Sequence, residues 1–260
     1  MTTHQTIKAP GRCFFVGDIH GHIDELTATL DAQAFNPADG DILIAVGDLI
    51  DRGPHSIAVL ELLSEPWFFS VLGNHEQMAL DALPHVLARP ADLTIDAATA
   101  LKMWLYHGGA WIDDELDKFD AAADPSAGKI GLVDSIRNRL RQLPWTITVE
   151  YQNKFRIGVV HADCPVQGWE ALPERMRDKK VMTSALYGRT KVDAVVRDGA
   201  SPGTTIGGID AVVCGHTVTP DGPVSHGNMI WIETGVFCTG VLTVLEASEV
   251  MRLVGYGQSR

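Results

Sequence analysis

Asp18, His20, Asp48, Asn74, His161 and His216 are the residues of this sequence whose types and spacing could do chemistry together. Carboxylate, imidazole and amide oxygen are donors suited to divalent metals of the Mn, Fe or Zn kind. Each stands just beyond a short apolar run. Cys13 to Val16 leads into Asp18 and His20, Ile42 to Val46 into Asp48, and Trp67 to Leu72 into Asn74. Ile157 to Val160 leads into His161, and Ala211 to Cys214 into His216. One carboxylate, for which Asp48 is the expected choice, could bridge two ions. A pair of ions about 3.5–4 Å apart can clamp a phosphoryl group and activate a water for in-line attack. The cluster offers no Ser or Cys nucleophile, so direct attack by metal-activated water is expected over a covalent enzyme intermediate.

The elements that must position these residues follow from the same runs. Predominantly apolar stretches of four to six residues suit strands covered on both faces. Helical patterns lie between the early ones, over Ile23 to Leu30, Ser56 to Leu63 and Glu76 to Leu83. Alternating strand and helix implies an α/β fold with crossovers, in which ligands sit beyond the carboxyl ends of strands. Strand-like runs return at Met229 to Ile232 and Val241 to Leu245. No low-complexity tract or repeat interrupts the chain, so one domain is expected over residues 1–260, with a helical insert near 84–126.

Composition narrows the function classes. The chain has 260 residues, 45% hydrophobic and 21% charged, which excludes disorder. Its formal net charge of -12 speaks against nucleic-acid and anionic-membrane partners, which need a basic face. No apolar run reaches the roughly 18 residues of a membrane span. The first eleven residues lack the apolar core of a secretory signal. Cys13, Cys164, Cys214 and Cys238 are far apart and read as buried free thiols. A reducing compartment, the cytoplasm, is the expected location. Nothing in the pattern bears on oligomeric state.

Asp18-Ile19-His20-Gly21, Gly47-Asp48-Leu49-Ile50-Asp51-Arg52-Gly53 and Gly73-Asn74-His75-Glu76 resemble the three signatures of the phosphoprotein phosphatase family of metallophosphoesterases. Gly108-Gly109 before Trp111, His161-Ala162-Asp163 and Ile232 to Cys238 are similar to its bacteriophage lambda-type and bacterial branch. The resemblance runs from residue 13 to about 245. It implies a layered sandwich of mixed β-sheets flanked by helices. It implies two divalent ions, with Mn²⁺ the expected ion in vitro and Fe or Zn as alternatives. Asp18 and His20 would bind the first, Asp48 would bridge, and Asn74, His161 and His216 would complete the second. His75 matches the general acid and Asp51 its carboxylate partner. Arg52, and Arg189 within Tyr187-Gly188-Arg189, match phosphate-binding arginines. The implied activity is hydrolysis of phosphoserine and phosphothreonine in proteins, with phosphotyrosine as a further substrate. The chain departs from eukaryotic members in placing Ala162-Asp163, not a glycine pair, after His161.

Blander readings fit single residues better than the set. A lone histidine after an apolar run is most often a satisfied polar group near a core. That reading is kept for His4, His22, His55, His85, His107 and His226. Glu76 reads as a first-turn helix acid, and Asp163 as a residue that serves only its own loop. A bis(5'-nucleosyl)-tetraphosphatase would share the scaffold and metals. That branch tends to carry Asp in place of Glu76 and Asn in place of Asp51. A nucleic-acid end phosphatase lacks its basic surface here. A non-catalytic metal-binding scaffold would have lost ligands or the acid, and both are present.

Overall fold

Cys13–Val16 is buried along its whole length, and its side chains divide between two environments. Cys13 and Phe15 face an apolar layer shared with Ile147, Val149, Ile157, Val213 and Ile230. Phe14 and Val16 face a second layer that includes the helix residues Leu26 and Leu30. The period of two thus gives this strand a sheet on one side and helices on the other. The same split recurs at Ile42 and Ile44 against Leu43 and Ala45.

In the computed structural model, which describes residues 3–256, the strands form two mixed sheets flanked by helices. They are β1 (His4–Lys8), β2 (Cys13–Val16), β3 (Ile42–Ala45), β4 (Phe68–Ser70), β5 (Thr146–Tyr151) and β6 (Phe155–Val160). Then follow β7 (Ala211–Cys214), β8 (Val224–His226), β9 (Met229–Trp231) and β10 (Val244–Glu246). One sheet has the order β1-β5-β6-β7-β9-β8, the other β10-β2-β3-β4. Within the second, β2, β3 and β4 are parallel; within the first, β6 and β7 are parallel. These five strands deliver the six candidate metal ligands, each within four positions of the strand's end.

The sequence reading missed β1, β5 and β8, and it extended β4 too far at both ends. The expected helices lie at Ile23–Ala32, Ser56–Glu61 and Asn74–Ala82. The last begins at Asn74 itself, so this ligand candidate sits in the first turn of a helix. Residues 84–126 carry the helices Ile95–Trp104 and Trp111–Asp117, joined by a π-helical turn over Leu105–Gly109. Cys13, Cys164 and Cys214 are buried, but Cys238 is exposed on the short helix Val236–Thr239. That corrects the expectation of four buried thiols: this helix lies at the surface beside the site. Among the described residues no helix is long and apolar enough to cross a membrane.

Candidate active site

The loops after the strands are strained in a consistent way. His20, Asp48, Asp51, Arg52 and His216 all have positive φ, at 45°, 51°, 73°, 67° and 66°. Non-glycine residues hold this region only when surrounding bonds over-determine it. Those bonds are visible. The N–H groups of Ile19 and His20 both donate to the Asp48 carbonyl, at 3.0 and 2.9 Å. Glu76, fully buried, accepts from the N–H of Asp48 (2.8 Å), Leu49 (2.7 Å) and Gly73 (2.9 Å). Glu233 does the same for the first loop, accepting from Asp18 N–H at 2.8 Å and Gly235 N–H at 2.6 Å. Gly47 permits the close approach of the loops, since a Cβ there would stand 2.8 Å from Gly73 N and 2.9 Å from His161 Nδ1.

Two donor trios result, His20–Asp48–His75 and Asp48–His161–His216, sharing Asp48. The tautomers are set from outside. His20 Nδ1 lies 2.8 Å from the Ile50 carbonyl and His161 Nδ1 lies 2.8 Å from that of Val46. Each ring therefore turns Nε2 toward Asp48, at 3.8 and 3.5 Å from its Oδ2. Asn74 Oδ1 lies 2.9 Å from His161 Nε2. Two ligands at about 2.1 Å and right angles around one ion would stand about 3 Å apart, so this pair fits a shared metal. Asp18 adjoins the trios; its two oxygens accept the His216 N–H at 3.1 Å each.

The charge state also fits a cation. Asp18 is pushed well above the usual carboxylate range by burial and by Glu233 and Asp48. Burial pushes Glu76 and Glu233 up to about 7. Burial also keeps His20 neutral, with its value down at about 3. In His161 burial is outweighed by Asp48, which lifts it to about 10. Divalent ions would relieve the crowding of buried acids and displace the His161 proton.

His75 is the exception in its trio. Its Nδ1 lies 2.7 Å from Asp51 Oδ2, and its Nε2 is 3.9 Å from Asp48 Oδ2. Asp51 is fully buried and accepts in addition from Trp104 Nε1 at 3.1 Å and Trp111 Nε1 at 2.8 Å. Burial would lower the His75 value, but Asp48 and Asp51 outweigh it and raise it. A carboxylate-held imidazolium suits proton donation better than metal ligation.

A cleft of about 660 Å³ opens over these groups and brings Arg52, Arg189, Asn74, His75 and His216 to one wall system. Asp18, His20, Asp48 and His161 lie buried beside it. Arg52 rests on the Phe237 ring at 4.2 Å, and its N–H donates to the Gly108 carbonyl at 3.2 Å. Gly108, at φ 111°, has no space for a side chain: a Cβ would meet Arg52 N at 2.6 Å. Arg189 is brought in by its neighbours. Lys191 Nζ lies 3.0 Å from Asp163 Oδ1, tying the helix Thr190–Asp198 to the loop after His161. Asp163 therefore serves more than its own loop.

Sequence reasoning gave no positioning role to Glu233, Trp104, Trp111 or Phe237, and it set His107 aside although His107 lines the cleft. Ile232 to Cys238 and Gly108-Gly109 before Trp111 were the available signals. Glu76, read as a first-turn acid, is in the first turn but bonds two strand-end loops.

Helix-flanked mixed sheets with a shared His/Asp centre at their strand ends define a metallophosphoesterase. Residues 11–220 match the calcineurin-like phosphoesterase family, and the chain belongs to it. It is 34% identical over 229 residues to serine/threonine-protein phosphatase 2 of Salmonella typhimurium strain LT2, covering 88% of this chain and 89% of that protein. It is 35% identical over 159 residues to the symmetrical bis(5'-nucleosyl)-tetraphosphatase of Shewanella frigidimarina, covering 60% of this chain and 46% of that one. A crystal structure of a protein provisionally described as a diadenosine tetraphosphatase superposes with a TM-score of 0.59 at 23% identity, over 96% of this chain and 95% of that one, a likeness of fold.

Proposed function

We propose that this protein is a dinuclear metal-dependent phosphomonoesterase that hydrolyses phosphoserine and phosphothreonine in proteins, with phosphotyrosine as a further substrate. Asp18, His20 and Asp48 would hold one divalent ion; Asp48, Asn74, His161 and His216 would hold the other, with Mn²⁺ the expected ion in vitro and Fe or Zn as alternatives. When bound, the ions supply charge neutralisation at the phosphoryl group and a water activated at neutral pH. Arg52 and Arg189 grip the remaining phosphate oxygens, for which a guanidinium fork is suited. His75 gives its Nε2 proton to the departing serine or threonine oxygen. Asp51 keeps Nδ1 protonated and the ring oriented throughout that transfer.

The Asp51–His75 contact of 2.7 Å carries this reading, because a serine or threonine alkoxide leaves poorly without a proton. Similarity along most of the Salmonella phosphatase supports it further. The free thiols suit a reducing compartment, and we place the protein in the cytoplasm. A second reading, the tetraphosphatase, is favoured by the similarity to the Shewanella enzyme over part of the chain. The test is phosphate release from a phosphoserine peptide by metal-stripped protein before and after Mn²⁺ is added. Release that needs the ion supports the proposal; no release under either condition removes it.

A further inference from the structure

The cleft that would receive a phosphate dianion is not uniformly cationic. Helix Asn74–Ala82 runs outward along it, and Asn74, Met78 and Asp81 follow at i, i+4 and i+7 on one face. Ala100, Met103 and His107, from the neighbouring helix and the π-helical turn after it, line the same cleft at i, i+3 and i+7. Met78 and Met103 give this trough apolar sides. Asp81 is the acidic residue on its lining, and Gln77 Nε2 fixes its Oδ1 at 2.9 Å. Among the described residues no basic side chain forms an ion pair with it.

A carboxylate without a counter-charge opposes phosphate binding in the same cleft unless the substrate itself brings a cation. Lys and Arg suit such a trough, since their aliphatic stems lie along apolar sides while the charged head reaches the acid. The helix sets the register. Seven residues from Asn74 to Asp81 span roughly 10 Å, the length of about three residues of extended peptide. The net charge of -12 acts in the same direction, attracting basic segments and repelling polyanions.

We propose that Asp81 is a specificity-determining residue, which selects phosphoprotein segments carrying Lys or Arg about three residues from the phosphorylated side chain. This rests on the protein-phosphatase reading and narrows its substrate class.

The test compares kcat/KM for two phosphoserine peptides, alike except for Lys or Glu two to four residues from the phosphoserine. Wild type, Asp81→Asn and Asp81→Lys are assayed with both. The ratio within one enzyme cancels any general effect of the substitution on turnover. Wild type should favour the Lys peptide on the order of tenfold, Asp81→Asn about two- to threefold, and Asp81→Lys should lose or invert the preference. Equal ratios in all three enzymes, with both peptides cut, overturn this inference alone. Peptides left uncut by wild-type enzyme that cleaves diadenosine tetraphosphate overturn the protein-phosphatase reading and this inference with it.

Discussion

Asp51 Oδ2 sits 2.7 Å from His75 Nδ1, and two tryptophans 53 and 60 residues further along the chain hold the same carboxylate. The two helices that carry these tryptophans are thereby tied to the candidate acid. Trp104 ends the helix Ile95–Trp104 and Trp111 begins the next, so the π-helical turn between them places both indoles on one carboxylate.

His75→Asn should lower kcat by about 10²–10⁴ on an alkyl phosphate such as phosphoserine. Metal content, read by elemental analysis, should stay at the wild-type level. The loss should be smaller on p-nitrophenyl phosphate, whose departing oxygen needs a proton less. Equal losses on the two substrates would count against a proton-donor role.

Asp51→Asn should change the pH profile of kcat. The proton on His75 is needed, so activity falls as pH rises through the His75 value. Burial works against that charge, and Asp48 and Asp51 raise the value. Ions bound to Asp48 would offset its charge, which leaves Asp51 as the main support. Removing the Asp51 charge lowers the His75 value, so the falling limb should move to lower pH. A limb that stays in place would mean that Asp51 only packs against the ring.

Glu233 and Glu76 hold the loops of the candidate ligands through hydrogen bonds from backbone N–H groups. Loss of such support typically costs about 10–100-fold in metal affinity. Glu233→Ala should weaken Mn²⁺ binding by that order in calorimetry while the far-ultraviolet circular dichroism is kept. Unaltered affinity would show that the Asp18 loop holds its shape without the glutamate.

Stability should depend on Asp41 at acid pH. Its buried carboxylate accepts from Arg12 Nη2 at 2.6 Å and Asn36 N–H at 2.8 Å. Burial alone would raise its value, but the Arg12 and Asn36 bonds outweigh it and hold the value below the usual range. A lowered folded value contributes stability above the unfolded value, about 3.9, which is lost as pH falls through the folded one. Asp41→Asn should cost about 1–3 kcal/mol at neutral pH and flatten the acid limb of the denaturation midpoint. An unchanged acid limb would place the acid sensitivity elsewhere.

The parts of the candidate site that were legible in the sequence are local. Asp18, His20, Asp48, Asn74, His161 and His216 announce themselves because each follows an apolar run within a few residues, and topology then gathers the strand ends. What stayed hidden is non-local. Glu233 bonds a residue 215 positions away, and no pattern around Ile232 specifies that partner. Nothing around Trp104 or Trp111 in the sequence points to Asp51, 53 and 60 positions earlier, and their N–H donors find it only through the tertiary fold. β1 (HQTIK) and β5 (TITVEY) mix polar residues into short strands, so their apolar period is too brief to stand out. Pairing makes them strands: β1 lies parallel to β5, and β5 is also antiparallel to β6.

The most direct test of the central claim is a comparison of kcat/KM for a phosphoserine peptide and for diadenosine tetraphosphate, using protein stripped of metal and resupplied with Mn²⁺. The proposal predicts that the ion restores hydrolysis of both or of the peptide alone, with the peptide preferred by at least about tenfold, one 1.4 kcal/mol step in transition-state stabilisation. Preference for the dinucleotide by a similar factor would contradict it.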